Sequence, residues 1–211
     1  MKPLALTALT AAAAIALSSP IAAQPLPTEH VRGQITAADD SSITLKTRAG
    51  ATVRLAFTPD LRVTSLTKVD FSEVKVGTYV GIAAVVIRPA PRRGDSEAMK
   101  NPTHTALDLV IFPESMKGTD EGQRKWDLTP DSTMTNGTVY DLEARDLSIR
   151  FKGNERDVHV PPKAPVVKIA PGDKQLLKPG AHIFVVAQKG ANGQLTAQRI
   201  SVGRDGLVPP M

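Results

Sequence analysis

Val31-Arg32-Gly33-Gln34-Ile35-Thr36-Ala37 alternates apolar and polar residues, stops at Asp39-Asp40-Ser41-Ser42, and resumes in Ile43-Thr44-Leu45-Lys46. Arg48-Ala49-Gly50 turns the chain, and Thr52 to Phe57 then sets Val53, Leu55 and Phe57 on one face. A period of two, broken by polar and Gly clusters, is the signature of short antiparallel strands. Val69 to Val74 has room for one helical turn. Tyr79 to Ile87 is the longest apolar run after the N-terminus and reads as a strand buried on both faces. Thr105 to Phe112, with Leu107, Leu109 and Ile111 on one side, makes a fifth strand.

The pattern then returns. Gly33-Gln34-Ile35 is matched by Gly137-Thr138-Val139, and Ile43-Thr44-Leu45 by Ile149-Arg150-Phe151. Val53-Arg54-Leu55 is matched by Val158-His159-Val160, and Lys75-Val76-Gly77 by Lys178-Pro179-Gly180. Each unit closes on Thr-Ala with an aliphatic residue three places on: Thr105-Ala106 with Leu109, and Thr196-Ala197 with Ile200. The second unit's strands fall at 137–142, 147–152, 157–160, 182–188 and 194–202, with a helical slot at Gln175 to Lys178. Ala191-Asn192-Gly193-Gln194 is a hairpin signal. Matches in this order indicate an internal repeat. Five strands with one helical element after the third is the element order of the OB-fold. The sequence therefore predicts an all-β protein of two tandem five-stranded OB-like barrels, at 30–112 and 136–203. A linker at 113–135 joins them, and a short C-terminal tail covers 204–211.

The spacing Val-x-Gly-x-Ile, Ser-Ile-Thr-Leu, Gly-x-x-Val-x-Leu, Val-Gly-x-x-Val and Thr-Ala-x-x-Leu resembles a bacterial family of exported OB-like domains of unknown function. The stretch from Arg124-Lys125-Trp126-Asp127-Leu128 through Met134-Thr135-Asn136-Gly137 to Val139 resembles a narrower group within it, whose members often carry a metal-transporter permease label. A permease needs several membrane spans, and no apolar run after the first 23 residues is long enough for one. The resemblance thus implies a fold and an exported location, and no activity.

Location is also written at the N-terminus. Lys2, the apolar run Leu4 to Leu17 and the small residues up to Ala23 form a signal-peptide pattern at 1–23. Cleavage near Ala23 would release a periplasmic chain beginning at Gln24. The absence of cysteine excludes a lipid-anchored Cys, disulfides and thiolate metal sites. A net charge of +5 is too mild for a nucleic-acid footprint. It suits weak attraction to an anionic envelope component.

No hydrolase, zincin or phosphate-loop motif is present, so the reading is non-enzymatic, with no cofactor. An enzyme with an unrecognised site is the remote alternative. The expected role is a binding or accessory module of the cell envelope, its partner an envelope protein or an anionic component. Two surfaces stand out. One is the loop from Arg88 to Asn101, with Arg88, Arg92, Arg93 and Lys100; the other surrounds Trp126 and Asp127 in the linker. A lone Trp in a polar linker usually anchors it, ring buried and N–H bonded. The four histidines, His30, His104, His159 and His182, lie too far apart to form a short ligand pair and read as solvated. A metal-handling alternative uses Met99, His104, Met116 and Met134, since thioether and imidazole suit Cu(I). Phe57, Tyr79, Phe112, Phe151 and Phe184 read as core, not as base-stacking platforms.

Overall fold

The computed structural model describes residues 27–87 and 103–211. The protein is all-β. Among the described residues, twelve strands form one continuous hydrogen-bonded system that folds back on itself. The first unit contributes β1 (Thr28–Ala38), β2 (Ser42–Thr47), β3 (Thr52–Lys68), β4 (Tyr79–Ile87) and β5 (Thr103–Ile111). The linker holds β6 (Gly122–Lys125). The second unit contributes β7 (Thr133–Glu143), β8 (Asp146–Phe151), β9 (Asn154–His159), β10 (Val166–Pro171), β11 (His182–Lys189) and β12 (Leu195–Gly203). Among the described residues no helix is long and apolar enough to cross a membrane.

The two units do not each close on themselves. β1 pairs antiparallel with β2 and with β11, β2 pairs with β3, and β12 pairs with β11 and runs parallel to β3. That ring, β1–β2–β3–β12–β11, is a closed five-stranded barrel with OB connectivity, its last two strands drawn from the second unit. The first unit's β4 and β5 go elsewhere. β4 pairs with β5 and β7, β7 with β8, β8 with β9, and β9 returns to β5 through two parallel residue pairs. The expected boundary between 112 and 136 is therefore not the structural one. The second circuit is contiguous, from Tyr79 to His159, and the barrel is assembled from the two ends of the chain around it.

A crossover produces this exchange. β3 does not stop at Phe57 but continues to Lys68, and its Thr64–Lys68 half lies antiparallel to β10. Both chain segments pass between the two circuits here, so each following pair of strands lands on the other side. Beyond the crossover both segments take the same course. Asp70 and Asp173 each cap a one-turn 3-10 helix by accepting from the main-chain N–H two residues on. Gly77 and Gly180, both at φ +90°, then bond to the opposite unit: Gly77 N donates to Val139 O, and Gly180 N to Ile35 O.

Three apolar clusters hold these parts. Ile35, Ile43, Leu45, Leu55, Ile183 and Ile200 fill the barrel. Val80, Ile82, Leu109, Leu147, Ile149 and Val158 fill the second circuit. Each buried aliphatic of this kind contributes roughly 1.5–3 kcal/mol. A third cluster, with Leu66, Val110, Trp126, Val167, Phe184 and Met211, lies between them. The C-terminal residues belong to it and are no loose tail: Met211 is buried, its main-chain oxygen accepts from Arg32 Nε, and Arg48 Nη2 donates to Pro209 O. Gly33 and Gly137 mark where the coiled strands approach most closely. A Cβ there would lie 2.4 Å from Lys46 O or 2.6 Å from Arg150 O.

Candidate functional site

An open cleft of about 1090 Å³ lies between the barrel and the second circuit. The pleat sets the two faces that flank it. Arg32, Phe184, Ser201 and Thr64 are successive cross-strand partners on β1, β11, β12 and β3, so their side chains share the barrel's outer face. Asp108, Ala83, Met134 and Arg124 are likewise partners across β5, β4, β7 and β6, on the outer face of the second circuit. The floor is apolar, with Val110, Phe112, Met116, Met134, Ile169 and Phe184. The polar lining includes His30, Asn136, Arg124, Lys152, Arg199 and the hydroxyl pair Thr64 Oγ1···Ser201 Oγ at 3.0 Å.

The linker forms one rim and is folded. β6 adds to β7, and the Trp126 main-chain N–H donates to Ser132 O. Thr119 O accepts from Tyr79 Oη at 2.9 Å and from Asn136 Nδ2 at 3.2 Å. Burial, then the Glu121 and Asp120 charges, push the Tyr79 hydroxyl up to about 12, so it stays a donor. Trp126 is the anchor that the sequence predicts, at 8% exposure. Its ring lies 4.4 Å from the His30 ring and 5.8 Å from that of Phe184. One part of the expectation fails: Nε1–H is buried with no acceptor.

Asp127 ties the linker to the barrel. Arg32 Nη1 and Nη2 donate to its two oxygens at 2.7 and 2.6 Å, and His30 Nδ1 lies 2.9 Å from Oδ1. Burial alone would raise this carboxyl; the hydrogen bonds from Arg32 and His30 overcome that and hold it at about 2. His30 is thus not the solvated residue expected. A carboxylate oxygen only accepts, so Nδ1 is the donor of this bond. His159 does point away from the core, its Nδ1 2.8 Å from Asp146 Oδ1.

The sequence candidates are split by the fold. Trp126 and Asp127 line the cleft. Arg88, Arg92, Arg93, Met99 and Lys100 lie outside the described residues. Met116 and Met134 line the cleft, but His104 sits on β5 opposite Val86 and beside Val158 and does not line it. Among the described residues no group of three or more His, Asp or Glu is arranged to hold a metal ion. Phe112 and Phe184 face the cleft between the circuits and fill neither one. Sequence reasoning missed His30, Arg124 and Arg199, which converge from separate strands. Only the neighbour of Trp126, Arg124, carried a local signal.

One further group lies in the layer between the circuits. Asp108 is 0% exposed; Oδ1 receives a long 3.4 Å bond from Ala83 N, and Oδ2 has no partner. Burial raises its pKa to about 7, against smaller opposing effects of the Ala83 N–H and the Arg32 charge. The chain matches no protein-family model, no curated protein and no solved structure.

Proposed function

We propose that this chain is a non-enzymatic binding protein of the bacterial cell envelope, exported by its N-terminal segment, that holds a small molecule in the cleft between its barrel and second circuit. The observation that carries the reading is the cleft itself: one wall from each circuit, an apolar floor, and polar groups of several kinds on its rim. Pockets of this volume and mixed lining are the usual seats of small ligands. A non-enzymatic role is supported by how the polar groups are engaged. Thr64 and Ser201 bond to each other and not to a histidine, and Asp127 is committed to Arg32 and His30. No nucleophile and base therefore stand paired among these residues.

The test is to purify the exported protein natively from envelope fractions, extract it with solvent, and identify what is released by mass spectrometry. Returned to stripped protein at about 100 times its Kd, a true ligand should add roughly 2.7 kcal/mol of stability. It should also shift the emission of Trp126, the single tryptophan. A stripped protein with unchanged melting and emission after such addition would sink the reading.

A soft-metal reading ranks second. Its support is that Met116, Met134 and Met211 line the same cleft as His30. A stoichiometric Cu(I) complex abolished by Met134→Leu would move it to first place.

A further inference from the structure

Resting on the cleft reading, we infer that the ligand is an amphipathic anion, its acidic head held at Arg124 beside Trp126 and its apolar body laid along the floor.

The charges decide the sign of the head. Among the described residues, four carboxylates line the cleft: Glu29, Asp120, Glu121 and Asp127. Two of them are engaged by cations that do not line it, Glu29 by Lys189 and Asp127 by Arg32. Asp120 and Glu121 are left to face Arg124, Lys125, Lys152 and Arg199. Asp120 binds Arg199 through Oδ2 at 3.3 Å. Arg124 spends one N–H on the Asp120 carbonyl, at 3.1 Å, and no carboxylate pairs with it among the described residues. A guanidinium carries five donors, so four remain for an incoming acid. The cleft walls also withdraw water from it, which lowers its pKa despite the nearby Asp120 charge. A cation with less water around it gains more from a bidentate carboxylate or phosphate than one in bulk solvent.

The neighbour of this cation reinforces the placement. Arg124 lies over the Trp126 ring, 5.6 Å from its centroid, and that indole keeps a buried N–H without an acceptor. An acidic head held at Arg124 would lie beside this unmet donor. On the same face, Arg124 is the direct cross-strand partner of Met134, which leads to the floor residues Val110 and Phe112. Head site and apolar track are thus continuous. A neutral or cationic head would leave the basic excess unanswered.

Brominated probes of one chain length test this, because bromine quenches an indole only on near contact. The protein is titrated with 2-bromoundecanoate, with neutral 2-bromoundecanol and with the 2-bromoundecyl trimethylammonium ion, each carrying its bromine next to the head, and Trp126 emission is recorded. The carboxylate is expected to quench at a concentration about tenfold lower than the other two, a difference of one charge-assisted pair. Arg124→Gln should remove that preference while leaving the alcohol's curve in place. Arg124→Lys, which keeps the charge, should retain most of it, and circular dichroism should show both variants folded with the parent's strand content. Equal quenching by all three probes would overturn the anionic head and leave the cleft reading standing. No quenching by any would overturn both. A preference that survives in Arg124→Gln would overturn the assignment of the head to Arg124.

Discussion

The barrel and the second circuit are built from the same five kinds of strand, yet they close very differently. In the barrel, β3 and β12 run parallel through eight registered pairs, from Leu55 with Leu195 to Leu66 with Gly203. In the second circuit, β5 meets the counterpart of β3 in two pieces, through two pairs with β9 and three with β10. The cause is local. β3 runs unbroken for 17 residues. Its counterpart is cut between β9 and β10 by Pro161, Pro162 and Pro165, which lack the N–H a ladder needs. Arg145 braces the break, donating from Nε to Val160 O at 2.6 Å and from Nη2 to Pro161 O at 3.2 Å, with its guanidinium over the Phe71 ring. A second contrast sits at matching places on the closing strands. Asp108 precedes Leu109 on β5 and is buried, whereas Arg199 precedes Ile200 on β12 and is open in the cleft. One pattern can thus be closed by an uninterrupted strand, or in two pieces by a broken strand with a bracket.

The largest effect expected from this comparison comes from cutting the chain. A fragment of residues 69–165 contains every strand of the second circuit and should melt cooperatively alone. Fragments 27–112 and 113–211 each lack strands that both circuits require. Each should lose the whole folding free energy, on the order of 5–15 kcal/mol, and regain structure only on mixing. Circular dichroism melts of the separate and mixed fragments decide it. A cooperative melt of 27–112 alone would break the exchanged arrangement.

Asp108 gives the next largest effect. Its carboxyl titrates near 7 when folded and near 3.8 as a free side chain. The folded state therefore holds the proton more tightly. Stability is full below about pH 4, falls as pH rises toward 7, and levels off above, by up to roughly 4 kcal/mol at about 1.36 kcal/mol per pKa unit. Asp108→Asn should flatten that slope in urea titrations run at pH 4.5 and 8. An equal slope in parent and variant would place the titration elsewhere. Smaller again is Arg145→Met, which keeps the stem but drops both carbonyl bonds. It should cost about 1–3 kcal/mol and speed amide exchange in β9 while leaving β3 unchanged. Equal acceleration in both strands would contradict the local bracket. The smallest effect belongs to the exposed Arg150–Glu155 pair at 2.6 Å; Glu155→Gln should lower the melting temperature barely at low salt and not at all in high salt, where the pair is screened.

The period-two pattern is enough to locate the strands around Ile35, Leu45, Leu55, Ile149 and Ile183, because one-sided burial dictates it. It does not say which core each strand enters. Both circuits ask for the same apolar faces, so β11 satisfies the pattern equally well beside β1 or beside β7. The full length of β3 is masked because Thr58-Pro59-Asp60 reads as a turn, and β10 is hidden among its flanking prolines. In the linker, Trp126 and Asp127 stand out by type and position. His30 and Arg199 do not, because their significance lies in meeting the linker from distant strands, and no local spacing records that.

The crossover of β3 past β10 also sets an order in time. A chain released from its N-terminus first has β1, β2 and β3 laid out early, but the partners that close them, β11 and β12, end only at Gly203. The second circuit has all its strands once His159 has emerged. The barrel, first in the sequence, is therefore the last part able to shut, and two strand edges, those of β1 and β3, wait open for more than half the length of the chain. Contacts this far apart form slowly, and waiting edges can pair with other chains. Exposure during emergence is thus greatest for the segment that becomes the closed barrel of the finished molecule.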